Sequence, residues 1–199
     1  MAETDARLRE AIDRFRELLD EARGSDLREP TAMTLATADG NGRPSARTVL
    51  LKDVDERGFV FYTNRDSRKG RALRDNPRAA LLFFWQPLMR QVKIEGRVED
   101  VTDAEADAYW VTRARESQLG AWASRQSEPL ASREELEARL GSLRERYRDL
   151  DVPRPPYWSG FRVRPDRIEF WHEREFRQHE RECYWQDGER EWQWTLLNP

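Results

Sequence analysis

Residues 91–99 alternate without a break: Val92, Ile94 and Val98 fall on one side, Lys93, Glu95, Arg97 and Glu99 on the other. A period of two marks a pleated strand with one face on a core and one in water, the habit of antiparallel sheets. Such a strand needs neighbours to bury its apolar side. The chain supplies them. Residues 32–37 form a short apolar run, Asp39-Gly40-Asn41-Gly42 is a strong hairpin turn, and 45–52 returns as a second strand. Residues 55–58 turn again into a strand over 59–63, and 78–85 is a nearly continuous apolar strand. Beyond residue 160, strands are expected over 160–164, 167–172, 180–186 and 191–196.

Helices interrupt this series. Leu8, Ile12, Phe15, Leu18 and Leu19 recur at helical spacing and predict an amphipathic helix over 3–23, stopped by Gly24 and Ser25. A second helix spans 67–76 and ends before Pro77. Two capping boxes, Thr102 with Glu105 and Ser132 with Glu135, open helices reaching about Arg113 and Arg148. Residues 153–156 form a rigid linker. The expected architecture is mainly β: one antiparallel barrel-like domain over 1–199 with peripheral helices, preceded by a helical segment over 1–29.

Composition narrows the function. Eight Trp and eight Phe among 199 residues provide a core that a disordered chain lacks, even with 37% charged residues. With 35 basic and 38 acidic residues the net charge is −3, which argues against a nucleic-acid binder. Only Lys52, Lys69 and Lys93 are lysines, so the cationic charge is nearly all arginine. The single cysteine, Cys183, excludes an internal disulfide, and with two histidines no transition-metal site is expected. It reads as a core or half-buried thiol. No apolar run approaches the ~18 residues of a membrane span. The start, with Glu3, Asp5 and Glu10, lacks the order of a signal peptide, so a cytoplasmic location with no membrane partner is expected.

Five segments could carry chemistry. The first is 47–52, Arg-Thr-Val-Leu-Leu-Lys, where regular pleating would put Arg47 and Lys52 on opposite faces. The second, Tyr62 to Lys69, runs from a strand into a helix start crowded with hydroxyls and cations. Arg68 and Lys69 are unfavourable in a first turn unless an anion joins them, so a phosphate site is one reading and a solvated basic turn the other. In the third, Tyr109 and Arg113 share a helix face with Ser117 just beyond, a second possible phosphate clamp or a plain surface pair. The fourth, 118–127, is a small, polar loop around Trp122, of the kind that wraps a cofactor or simply turns. In the fifth, Arg177, His179 and Arg181 would share one face if extended. Two arginines beside His179 favour its neutral form and suit it to proton handling, whereas His172 has no such company and reads as structural. Walker, GxGxxG, HExxH and GxSxG patterns are all absent. Many anion-binding side chains without a nucleophile or metal suit an enzyme whose cofactor carries the hard chemistry.

Taken in order, these segments resemble the pyridoxine/pyridoxamine 5′-phosphate oxidase family from about Pro30 to the C-terminus. The shared pieces are Arg-Thr-Val-Leu-Leu-Lys (47–52), Phe-Tyr-Thr-Asn (61–64), Ser-Arg-Lys (67–69), Arg-Gln-Val (90–92) and Ser-Gln-Leu-Gly-Ala-Trp (117–122). Gln-Ser (126–127), Ile-Glu-Phe-Trp (168–171) and Arg-Gln-His-Glu-Arg (177–181) complete the set. The resemblance implies an FMN-binding split β-barrel, assembled as a homodimer with FMN at the interface. It implies FMN contacts from Arg47, Thr48, Val49, Leu50, Leu51, Lys52, Tyr62, Thr63, Arg68, Lys69, Gln91, Gln126, Ser127, Trp171 and Arg181. The substrate phosphate would be held by Lys52, Tyr109, Arg113 and Ser117, with Arg177 and His179 at the ring as catalytic candidates. The implied reaction moves a hydride from the substrate C4′ to the flavin, yielding pyridoxal 5′-phosphate, with O2 reduced to H2O2. A paralogous flavin oxidase of the phenazine type is the alternative, and a flavin- or B6-binding protein without turnover a further one. Two departures stand out. An Arg-Arg-x-Tyr-like stretch frequent before the match is missing, so lid closure is expected to differ, and Leu196 stands where relatives carry arginine.

Overall fold

The computed structural model describes residues 4–199; Met1–Glu3, where the first helix is predicted to begin, lie outside the described residues. Helix α1 (Thr4–Arg23) turns Ala11, Ile12, Phe15, Leu19 and Ala22 into the core. Phe15 is its anchor, edge-on to Phe59 at 4.9 Å and Phe83 at 5.0 Å, an arrangement that adds to area burial alone.

The core lies against one curled sheet of nine strands: β1 (Ala32–Ala38), β2 (Pro44–Leu50), β3 (Asp53–Asp55), β4 (Gly58–Asn64), β5 (Arg78–Trp85), β6 (Arg90–Asp100), β7 (Trp158–His172), β8 (Glu180–Gln186) and β9 (Trp192–Leu196). The order is β2-β1-β5-β6-β7-β4-β3, with β8 on β7 and β9 on β8, and every ladder is antiparallel. The alternation read in 91–99 holds: Val92, Ile94 and Gly96 are buried and Arg97 is exposed. The β1–β2 hairpin turns where expected. Asp39 Oδ1 accepts the N–H groups of Asn41 and Arg43, and Gly42 takes a φ of +77° that a side chain would resist.

Three expectations about strands need correction. The strand from residue 45 stops at Leu50, so pleating does not continue to Lys52. A three-residue β3 precedes the 55–58 turn. The two strands expected over 160–172 are one, β7, broken in register rather than in chain. Glu95 pairs with Arg167 and Gly96 with Pro165, leaving Asp166 as an extra residue. This bulge bends β7 where its partner changes from β4 to β8. It also explains Gly96, since a Cβ there would fall 2.0 Å from the Arg164 carbonyl oxygen.

The helices keep close to the prediction, with one addition. Ser67 caps α2 (Arg68–Asp75), accepting the Gly70 N–H. Thr102 and Glu105 form the full capping box of α3 (Asp103–Val111), which ends two residues before Arg113. In α5 (Arg133–Arg146) only half the box forms: Ser132 accepts the Glu135 N–H, while Glu135 turns to Ala131. The segment taken as a cofactor loop is largely helical, as α4 (Arg115–Ala123). Its N-cap is Ala114, without a capping side chain, so the usual start signal is missing. Cys183 is buried in β8 as expected, and burial pushes its thiol pKa up.

Candidate active site

The edge strand β2, the end of β4, and the starts of α2 and α4 surround a cavity of about 560 Å³. Of the residues singled out above, Thr48, Val49, Leu50, Lys52, Tyr62, Thr63, Lys69, Tyr109, Arg113, Ser117 and Gln126 line it. The two separate phosphate readings thus share one space, and among the described residues no carboxylate lines it.

On one side stands Lys69. Its Nζ donates to Gln126 Oε1 at 2.9 Å, Thr63 Oγ1 at 3.1 Å and Ser67 Oγ at 3.3 Å. These acceptors are neutral. Burial, and then the nearby Arg47 guanidinium, pull the Lys69 pKa down to about 8. Arg47 is itself held below its ordinary value by burial and by Arg68, and donates to Leu35 O and Thr37 Oγ1. The Arg68 N–H donates to Ser127 Oγ, and Ser127 adopts a φ of +75°. Three cations without an acid form a setting in which an anion would relieve repulsion.

On the other side stands Arg113. Its guanidinium lies 4.6 Å from the Trp158 ring and 5.2 Å from the Trp110 ring. Burial lowers its pKa, and its Nη1 is buried without a hydrogen-bond partner. Trp110 is pinned by Nε1 donating to Val152 O at 2.7 Å. Trp158, Tyr62 and Tyr109 lie with near-parallel rings, Tyr62 being 4.2 Å from Tyr109 and 5.3 Å from Trp158. Gly160 permits this, because a Cβ there would meet the Tyr62 ring at 2.8 Å. An aromatic clamp orients Arg113 without consuming its charge as a carboxylate would. The start of α4, with Ala114 and Ser117 on the cavity, adds a hydroxyl and the positive end of a helix dipole. Trp158 and this helix start escaped the sequence reading. The pair Tyr157-Trp158 offered only aromatic bulk, and α4 no cap.

The remaining residues lie elsewhere. Leu51 is buried on the core side. Gln91, Trp171 and Arg181 form a row across β6, β7 and β8. Trp171 is twelve residues along β7 from Ser159, the partner of Thr63, roughly 40 Å of strand contour. Arg181 is engaged by Glu169, a carboxylate only 4% exposed, through Nε at 2.8 Å and Nη2 at 2.7 Å. Its Nη1 donates to Asn198 O. The expectation that Arg177, His179 and Arg181 share an extended face fails. Residues Glu175–Arg177 form a 3-10 turn in which Phe176 and Arg177 have φ values of +56° and +60°. His179 instead leans on Trp171, with ring centres 4.7 Å apart, and its Nδ1 accepts the Arg174 N–H. His172, expected to lack charged company, has it: burial, then Arg90 and Arg174, lower its pKa against the pull of Glu180.

Known proteins resemble this chain in sequence and fold. The family model described as pyridoxamine 5′-phosphate oxidase matches residues 18–147, starting earlier than the resemblance near Pro30. A second, described as the pyridoxine 5′-phosphate oxidase C-terminal dimerisation region, matches residues 158–199 and supports homodimer formation. A pyridoxine/pyridoxamine 5′-phosphate oxidase of Myxococcus xanthus is 60% identical over 189 residues, covering 94% of this chain and 91% of the relative. One of Rubrobacter xylanophilus is 57% identical over 188 residues, covering 94% and 86%. Among solved structures, PhzG from Burkholderia lata, in complex with tetrahydrophenazine-1-carboxylic acid, superposes with a TM-score of 0.91 at 35% identity, covering 100% of this chain and 97% of that one. A pyridoxamine 5′-phosphate oxidase-related, FMN binding protein from Nostoc punctiforme shares the fold, with a TM-score of 0.75 at 18% identity over 94% and 96% of the two chains. The chain belongs to the pyridoxine/pyridoxamine 5′-phosphate oxidase family of split-barrel flavin proteins.

Proposed function

We propose that this chain is a cytoplasmic, homodimeric, FMN-dependent oxidase that converts pyridoxamine or pyridoxine 5′-phosphate to pyridoxal 5′-phosphate and reduces O2 to H2O2. The observation that carries this reading is a cavity lined by three cations, Lys52, Lys69 and Arg113, and by no carboxylate among the described residues. Two phosphorylated molecules, cofactor and substrate, account for them.

The residues suit FMN. Lys69 has only neutral acceptors, with Arg47 and Arg68 near, so a phosphate completes the cluster. Among the described residues strand β2 pairs with β1 alone, leaving its other edge toward the cavity at Thr48, Val49 and Leu50. A free strand edge offers backbone donors and acceptors to a planar heterocycle. Bound FMN would supply the two-electron acceptor for oxidation at the substrate C4′ carbon. Thr63, Gln126 and Ser127 would hold Lys69 and Arg68 in place beneath it. Arg113, Lys52, Tyr109 and Ser117 would take the substrate phosphate and orient the pyridine ring.

The second subunit would complete the site with the partner subunit's Gln91, Trp171, Arg177, His179 and Arg181. His179 accepts a hydrogen bond at Nδ1, so its neutral form carries the proton on Nε2, the atom free to face a substrate. An exposed Arg177 would offset charge developing on the ring.

The test is direct. The purified protein is examined for a flavin spectrum, given pyridoxine or pyridoxamine 5′-phosphate in air, and followed for aldehyde and peroxide. A yellow protein that forms neither is a binder, not an oxidase. The likeness to PhzG favours a second reading, oxidation of a reduced phenazine carboxylate. Faster turnover of that substrate than of either B6 phosphate would establish it. The cation cluster at Arg113 supports the phosphorylated substrate instead.

A further inference from the structure

Strands β6 and β7 pair residues of formal charge at four positions, and three are complementary. Lys93 faces Glu169, Glu95 faces Arg167 and Glu99 faces Arg162. The fourth is not: Arg97 faces Arg164, and on its other side Arg97 faces Arg78 of β5. Directly opposed residues share one sheet face with Cβ atoms about 5 Å apart, and like charges there destabilise the sheet. All three arginines are exposed on that face. The outer two are answered, Arg78 by Asp166 at 2.8 Å and Arg164 by Glu99 at 3.5 Å. Glu99 is also shared with Arg162 at 3.7 Å. Arg97, in the middle, makes no ion pair with a carboxylate among the described residues.

The row lines a cleft of about 620 Å³, and the β8–β9 hairpin brings Arg190 to it. The bulged Asp166 sits at its rim, where a bulge commonly re-aims side chains beside a site. Four arginines stand against two carboxylates, Asp166 and Glu99, an excess that matches a dianion. No residue of this cleft lines the cavity of Lys69 and Arg113.

We propose that this cleft is a second anion site, which takes a small multivalent phosphate, such as pyrophosphate or a phosphorylated metabolite, with Arg97 as its central ligand. The anion supplies the charge that the ladder lacks at this position. The inference does not rest on the oxidase reading.

The test is calorimetric titration of inorganic pyrophosphate into the FMN-saturated protein in low-salt, phosphate-free buffer, with melting temperatures measured alongside. Arg113→Ala, which disables the substrate-phosphate clamp, should retain pyrophosphate binding at the cleft, and adding Arg97→Gln to it should weaken that remaining binding at least ten-fold. Arg97→Gln alone should also melt higher than the parent without anion, since a like charge has gone. Its turnover should match the parent's. Absence of binding to the parent, loss of binding in Arg113→Ala, undiminished binding when Arg97→Gln is added to it, or a lower anion-free melting temperature for Arg97→Gln would each overturn the proposal.

Discussion

The two ends of β7 treat cations in opposite ways. Near Trp158, Lys69 and Arg113 are held by neutral oxygens and indole faces, with no carboxylate among the described residues lining the cavity. Near Trp171, Arg181 is locked to a buried Glu169, which also lies 3.4 Å from Lys93. The first set keeps its charge available and is organised for a ligand before one arrives. The second is electrically satisfied, while Arg177 stands exposed in a left-handed turn and His179 rests on Trp171. One end leaves its cations without a carboxylate partner; the other pairs Arg181 with one, and both lie in the segment, 158–199, matched by the dimerisation-region model.

Mixing is the sharpest way to break this division. If each site takes its cavity from one subunit and Arg177 from the other, then Arg113→Ala and Arg177→Ala should each be nearly inactive when assayed well below saturating substrate. Their co-refolded mixture should regain roughly a quarter of the parent's sites, as expected for random pairing about a two-fold axis. No recovery, with mixed dimers shown to form, would put both residues in one subunit's site.

The next effect tests the cavity alone. Arg113→Ala should cost roughly 2–3 kcal/mol of phosphate binding, on the order of 30- to 150-fold in KM for a phosphorylated substrate. FMN affinity should change little. Equal loss of both would mean that the two cation groups do not serve different phosphates.

Trp158 sharpens the account of how Arg113 is held. Trp158→Leu removes the face at 4.6 Å and should raise KM roughly five-fold, about 1 kcal/mol, with kcat preserved. Trp158→Phe should recover part of the loss. A fall in kcat at unchanged KM would give Trp158 another role.

The smallest effect is in pH. The Lys69 pKa is lowered, from 10.5 to about 8, so between these values the unfolded chain binds more protons than the folded one. Stability of the anion-free protein should therefore rise with pH across that window, the charge penalty being full below about 8. Anion binding needs the charged form, so FMN affinity, read by flavin fluorescence, should fall above about pH 8. Lys69→Arg should flatten that fall. A flat parent profile would remove Lys69 from the anion site.

Much of this was legible in the residues. Thr102 and Ser132 cap the helices they were expected to cap, and 91–99 is the alternating strand it reads as, because caps and pleats act over a few residues. The failures are also local in cause. Helix α4 begins at Ala114 without a capping side chain, β7 hides its continuity behind Pro165 and the Asp166 bulge, and Arg177 leaves the extended conformation that pattern reading assumed.

By itself, then, the sequence determined the antiparallel character of the sheet, the helix starts that carry caps, and the residue types able to bind anions. Only the tertiary structure decided which of these meet. It brought Lys69 and Arg113 to one cavity, sent Trp171 and Arg181 to the far end of β7, and aligned Arg78, Arg97 and Arg164 in one row. Spacing along a chain governs hydrogen bonds and faces within an element, whereas charge proximity between elements depends on register and on one bulged residue. Neither is written in any local window of sequence.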